Sequence, residues 1–343
     1  MRFLSYSLAV CATFVVTTYG DDCNGSPNAR TTPPPGAVVV DSTGKYAGSV
    51  TTINLGVAQL QASSSPQSLF IFPGTFNEQI FIGKDVKSLI IQGYTCDTTD
   101  YTQNQVTITH SKSQNDLPSS VTSNRNFLTS TLGIESASAK VYNLNVANTA
   151  GQIEINGQAV AISSSGKSQG FYACSIKGYQ DTLFAHKGRQ LYVKSHIRGA
   201  VDFVFGQNAV AWFESCTIES IGKGWLTANG NTKPENENGY VFNNCQVTGT
   251  GPTFLGRPWN PYARVVFQKC QLGSHIDPKG WSPWGDSASL DTVTFAEYGN
   301  TGPGSKTDQR VPFSTQLDKA KDIKEVLGDG YMDEWFVDSL FQK

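Results

Sequence analysis

The stretch Gly178–Gly206, GYQDTLFAHKGRQLYVKSHIRGAVDFVFG, decides the fold. It carries two aspartates, Asp181 and Asp202, each within a strand-like run that is otherwise apolar or uncharged. Asp202 sits inside Val201-Asp202-Phe203-Val204-Phe205, where a carboxylate is costly to bury without a partner or a task. The two are 21 residues apart, a spacing that acquires meaning if the chain winds in coils of about that length, because successive parallel strands lie about 4.8 Å apart.

A repeat supports the coil. An apolar-aromatic, polar-polar pattern recurs around Leu144, Cys174, Cys216, Cys245 and Cys270, with steps of 30, 42, 29 and 25 residues, as expected for one unit carrying insertions. Recurrence at this period implies a solenoid. Each unit is rich in Val, Ile, Phe, Tyr and Thr, turns at Gly or Asn and lacks helical periodicity, so the expected fold is all-β, a parallel β-helix. Val38-Val39-Val40 reads as a strand, and residues 50–60 as a short helix covering the open end. Residues 68–80 and 88–94 read as the first clear coils, and 95–125 as a polar insertion. The tail from Ser314 reads as a helix capped by Ser314, with Leu317, Ala320, Ile323, Val326 and Leu327 on one face and Gly328 as its stop.

The chain has 343 residues, 38% hydrophobic and 16% charged with 33 glycines, a composition suited to one turn-rich β domain. The net charge of -2 and the lack of Lys/Arg clusters argue against nucleic acid or an anionic membrane as partner. Residues 1–20, with Arg2 ahead of an apolar run and small residues before Gly20, read as a secretory signal, and 21–36 as a Pro-rich lead-in. The catalytic domain is expected over 37–343, in a secreted protein with a possible glycan at the Asn24-Gly25-Ser26 sequon. Six cysteines remain after the signal, an even number compatible with disulfides; the four at the repeat position suit either bridging or a buried ladder of thiols.

Two motif matches fail on context. Gly166-Lys167-Ser168-Gln169-Gly170 fits G-x-S-x-G, but a strand follows it where the nucleophile elbow needs a helix. The Gly-Lys-Ser within it lacks the first glycine of a phosphate loop, since Ala161 stands there. The four histidines and six mature cysteines have no metal-ligand spacing, so no metal is expected. The aspartates remain. Alone, Asp181 reads as a turn residue and Asp202 as half of a buried ion pair; together, one coil apart, they are two carboxyls that cannot both ionise easily. That arrangement suits a general acid beside a nucleophile.

Five segments in order, Gly74-Thr75-Phe76-Asn77-Glu78, Gln158-Ala159-Val160-Ala161-Ile162, Gly178-Tyr179-Gln180-Asp181-Thr182-Leu183, Asp202-Phe203-Val204-Phe205-Gly206 and Leu255-Gly256-Arg257-Pro258-Trp259, resemble the signature segments of pectin methylesterases. The resemblance implies a right-handed, single-stranded parallel β-helix with short capping helices, acting on methyl-esterified pectin without cofactor and as a monomer. It implies Asp202 as nucleophile, Asp181 as general acid and then base, Gln158 and Gln180 as oxyanion donors and Arg257 as the residue orienting Asp202. Trp259, Phe205 and Thr75 are implied as substrate contacts. Phe76 stands where the family usually has Tyr, and Ile162 where Leu is common. The lack of a long inhibitory pro-region resembles fungal rather than plant members. A polygalacturonase or lyase, or a non-catalytic carbohydrate-binding β-helix, are the rival readings. The intact set Asp181, Asp202 and Arg257 argues against the last. One difficulty stands: Gln180 and Asp181 are neighbours, and strand neighbours face opposite ways, so both reach one site only if the strand bends there.

Overall fold

Runs of β-branched and aromatic residues separated by single turn residues have no tight hairpin to fold into; each pairs in parallel with the corresponding run one coil later. The computed structural model describes Cys23, residues 26–61, 65–285 and 290–342. Among these, three parallel sheets of eleven, eight and seven strands form the walls of a β-helix, with strands that stack in chain order within each sheet. Ser168–Tyr172 pairs with Lys187–Val193, which pairs with Asn208–Glu214, in register Ser168↔Arg189↔Val210. The coil here is therefore 21 residues long. The 42-residue step of the sequence repeat spans two coils: Leu191-Tyr192-Val193 is the missing rung, and Ser195, fully buried, takes the place of a cysteine.

The turn between the eleven- and eight-stranded sheets uses one left-handed residue per coil, at Asn143, Ala173, Lys194, Ser215, Asn244 and Lys269. Inside, like side chains stack on like. Phe171, Tyr192, Phe213, Phe242 and Phe267 form a column of parallel rings with centroids 4.3–4.8 Å apart, offset contacts that each add to simple burial. Cys174, Cys216, Cys245 and Cys270 form the thiol ladder, free and buried, the Cys216 Sγ–H donating to Tyr192 O at 3.4 Å. The disulfide is Cys23–Cys96, which together with the antiparallel bridge Arg30↔Thr95 fastens the Pro-rich lead-in to the first coils. The signal segment and Asn24 lie outside the described residues.

The expected end cover is the helix Ile53–Ala58, capped by the Thr52 side chain and packed over Val40 and Leu69 so closely that only Gly56 fits. Glu78 accepts from Ile53 N at 2.8 Å and Asn54 N at 2.9 Å, placing a carboxylate on the helix N-terminus. The polar insertion needs correction. It contains the strand Val106–His110, which pairs with Gly74–Asn77 and Asn145–Asn148, because its alternation of Val106 and Ile108 with threonines suits a wall strand. The tail also differs. Ser314–Gln316 is the last strand of the eleven-stranded sheet, and the helix is only Ile323–Leu327, capped by Asp322 and ended at Gly328. Its apolar residues, with Phe336 and Phe341, cover Tyr172, Leu191 and Trp212 on the sheet's outer face, and Arg189 anchors it through Glu334 at 2.6 Å.

Candidate active site

Two equivalent turns, one coil apart, build the site. Each leaves the eight-stranded sheet at a glycine, Gly178 or Gly199, and enters the seven-stranded sheet at Leu183 or Val204. The chain folds back so tightly that a Cβ on Gly199 would lie 2.4 Å from that of Phe203, and one on Gly178 2.7 Å from Thr182 Oγ1. The turns are joined by backbone bonds, Asp181 N to Val201 O at 3.0 Å and Leu183 N to Phe203 O at 2.8 Å. Asp202 is thus not a strand residue as its apolar neighbours imply. It has φ 50° and Asp181 has φ 61°, both left-handed, a conformation aspartate accepts more readily than most residues. This bend removes the difficulty over Gln180 and Asp181: Gln180 ends the ladder in a single bridge to Val201, and the next residue turns so that both line one cleft.

That cleft, about 280 Å³, brings together Gln158, Gln180, Asp181, Asp202, Phe205, Arg257 and Trp259. Arg257 reaches Asp202 bidentately, Nε to Oδ1 at 2.9 Å and Nη2 to Oδ2 at 2.5 Å. Its own guanidinium is sandwiched, 3.6 Å from the Trp225 ring and 4.1 Å from that of Trp284, which fixes the plane of the fork. Burial pushes both carboxyls above the ordinary aspartate range. For Asp181 the negative charge of Asp202 adds to burial, and its pKa lies well up; for Asp202 the hydrogen bonds and charge of Arg257 oppose burial. The proton the pair retains therefore belongs to Asp181. Gln158 Oε1 is buried without a hydrogen-bond partner among the described residues, so its NH₂ is the end open to the cleft. Trp259 packs on Phe205 at 6.2 Å, and Phe205 stacks on Phe184 at 4.6 Å.

Thr75 is not part of this assembly: it is exposed on the strand Gly74–Asn77 of the eight-stranded sheet, beside Glu78 and its helix-capping bonds. Three lining residues escaped the sequence reading, Gln114, Asn126 and Trp284. Gln114 and Asn126 hydrogen-bond each other across the polar insertion and carry no pattern that marks them. Trp284 and Trp281 are close neighbours in one loop, yet Trp281 is core and Trp284 borders the cleft, and nothing in their spacing separates the two. His186 and His196 lie outside the cleft, against Ser165 and Glu219 respectively. Ser168 opens a buried strand, as its rejection as a nucleophile requires.

A β-helix whose outer face holds an arginine-clamped aspartate, a second protonated carboxyl and two free amides defines an aspartate-based hydrolase of polysaccharide esters. A family model described as Pectinesterase matches residues 37–332. The chain is 41% identical over 325 residues to a pectinesterase of Aspergillus aculeatus, covering 91% of this chain and 95% of that one. It is 40% identical over 317 residues to a pectinesterase of Aspergillus niger, covering 89% and 92%. Among solved structures it resembles the pectin methylesterase of Aspergillus niger, with TM-score 0.82, 35% identity and coverage of 91% and 100%. The carrot enzyme is similar with TM-score 0.75 at 28% identity, covering 89% and 97%. The chain belongs to the pectinesterase family, a carboxylic ester hydrolase with pectin methylesterase activity.

Proposed function

We propose that de-esterification runs through Asp202 as nucleophile and Asp181 as acid and base. The observation that carries this is the asymmetry of the pair, Asp202 held ionised by the Arg257 fork and Asp181 left without such a partner. A methyl-esterified galacturonate unit lies on Trp259 with its ester carbonyl between Asp202 and the amides of Gln158 and Gln180. Asp202 attacks the carbonyl carbon, and the C=O electron pair moves onto oxygen, where the amide N–H groups meet it. As the oxyanion collapses, the C–O bond to the methoxy group breaks and Asp181 gives its proton to the leaving oxygen, releasing methanol and an acyl-enzyme anhydride. Asp181, now a carboxylate, takes a proton from water while the water oxygen attacks the same carbon. Loss of Asp202 from this second tetrahedral species frees the galacturonate acid and restores both aspartates.

Parallel assays of acid and methanol release from highly methylated pectin test the reaction; equal release without chain shortening is expected, whereas shortening would point to a glycosidase or lyase. Gln158→Ala is expected to lower kcat by about 10² to 10³ with KM little changed, because an oxyanion donor acts in the transition state; a change confined to KM would count against the role. Trp259→Ala is expected to lower kcat/KM on polymer roughly tenfold to a hundredfold through lost stacking area and lost placement of the ester. A large fall in melting temperature with unchanged activity at low temperature would mean that Trp259 only packs on Phe205.

Secretion is supported by the Cys23–Cys96 disulfide, a bond that persists in oxidising compartments. Residues 37–343 form one catalytic domain on this reading, the coils stacking without a break from Val38 to Gln316.

A further inference from the structure

Along the seven-stranded sheet from the cleft lies a second cavity, about 460 Å³, that no step above uses. One wall is the loop 120–124 with Phe127 and Leu128, the other Ser165 and His186, and Glu135 stands at the edge. Cavity and cleft are continuous. The helix Arg125–Thr129 borders both, Asn126 facing the cleft and Phe127 the cavity. Arg125 joins their walls, donating from Nη1 to Val121 O at 2.6 Å and from Nη2 to Gln114 O at 2.8 Å. A row of rings also runs between them: Trp259 touches Phe205, Phe205 stacks on Phe184, and Phe184 stacks on His186 at 4.4 Å. Glu135 follows the strand Leu132–Ile134, three places in the sheet from Val204–Gly206, roughly 14 Å by strand spacing, a few sugar units along one chain.

We propose that this cavity binds a second methyl-esterified galacturonate unit of the pectin chain whose ester is being cleaved over Asp202, and that Glu135 makes it select the ester over the free acid. The proposal rests on the cleft assignment above. Val121, Phe127 and Leu128 offer apolar surface to a methyl group and a sugar face, and the hydroxyls of Ser120, Ser123 and Ser165 suit sugar hydroxyls. Glu135 is the one carboxylate among the lining residues, and no Lys or Arg lines the cavity. Lys84 meets Glu135 from the solvent side at 3.5 Å with 77% of its side chain exposed, a screened contact that leaves most of the carboxylate's field in place. Burial holds His186 below the ordinary histidine range, so it supplies no lasting cation. A free galacturonate would bring a like charge to Glu135; its ester would not.

Rates on densely and sparsely methylated homogalacturonan, and on a galacturonate dimer methyl ester too short to span both sites, test this. Glu135→Gln is expected to raise kcat/KM on the sparse polymer about fivefold and leave the dense polymer within twofold. Phe127→Ala is expected to raise KM on the dense polymer about fivefold with kcat unchanged, as loss of uniform binding requires. Both variants should cleave the dimer ester at the parent rate. A dense-to-sparse preference unchanged in Glu135→Gln overturns the proposal, as does an equal effect of either variant on the dimer. Turnover of the dimer by the parent enzyme reports on the cleft alone, so the two readings fail separately.

Discussion

Asp202→Asn is expected to abolish methanol release, by on the order of 10⁴ to 10⁶ in kcat, while the β-helix still assembles. Asparagine keeps the shape and one acceptor for Arg257 but loses the charge that attacks the ester. The fork then faces a neutral amide whose NH₂ cannot accept, so one of its two hydrogen bonds, 2.9 and 2.5 Å in the parent, is lost. Arg257 keeps its two tryptophan rings, so the loss should stay near 1–3 kcal/mol, a few degrees in melting temperature. Methanol assay beside thermal denaturation reads both effects. A fall of less than tenfold in a folded variant would mean that another group attacks the ester.

Asp181→Asn should be nearly as inactive, by about 10² to 10⁴ for loss of proton transfer, yet more stable, and the gain should depend on pH. Burial first and the Asp202 charge second raise the folded-state pKa of Asp181 well above its unfolded value. Between those two values the folded protein binds more protons than the unfolded chain, so the parent's stability falls as pH rises through that window. Below the unfolded pKa, near ~4, the group contributes nothing against folding. Asparagine has no proton to lose. The variant's advantage in melting temperature should therefore be small in acid and widen toward neutral pH. An advantage that shrinks as pH rises would overturn the assignment of the retained proton. The raised pKa also predicts that parent activity declines on the alkaline side as Asp181 ionises, and on the acid side as Asp202 takes up a proton.

What was legible in the chain was what recurs. Two aspartates at a 21-residue interval and the thiol positions mark the coil, and the stacked structure uses both. The rung at Ser195 was hidden because one hydroxymethyl replaces one thiol at a position that tolerates either; its Oγ donates to Val193 O at 3.1 Å where its neighbours' thiols do the same work. Asp202 looked like a strand residue because Phe203 and Val204 beside it are core, and a single left-handed residue leaves no trace in an apolar pattern. Ser314 looked like a helix cap because serine begins strands as readily as helices. Gln114, Asn126 and Trp284 come to the cleft by loops whose path depends on tertiary bonds such as those of Arg125, which no local pattern encodes.

The joined turns at Gly178–Asp181 and Gly199–Asp202 also bear on how such a protein can change. The gap between acid and nucleophile is not set by either side chain but by the hydrogen-bond spacing of two neighbouring strands, and it is the same wherever the chain is wound. An insertion between Thr182 and Val201 cannot widen that gap gradually: it either bulges outward at a corner and leaves the gap alone, or it slips the register and moves one carboxyl by a whole residue. Evolution of the reaction is thereby confined to what surrounds a fixed pair: the arginine, the amides and the loops that grip the polymer. Coil length elsewhere is free to drift, as the 29-residue coil from Val210 to Gly239 already has.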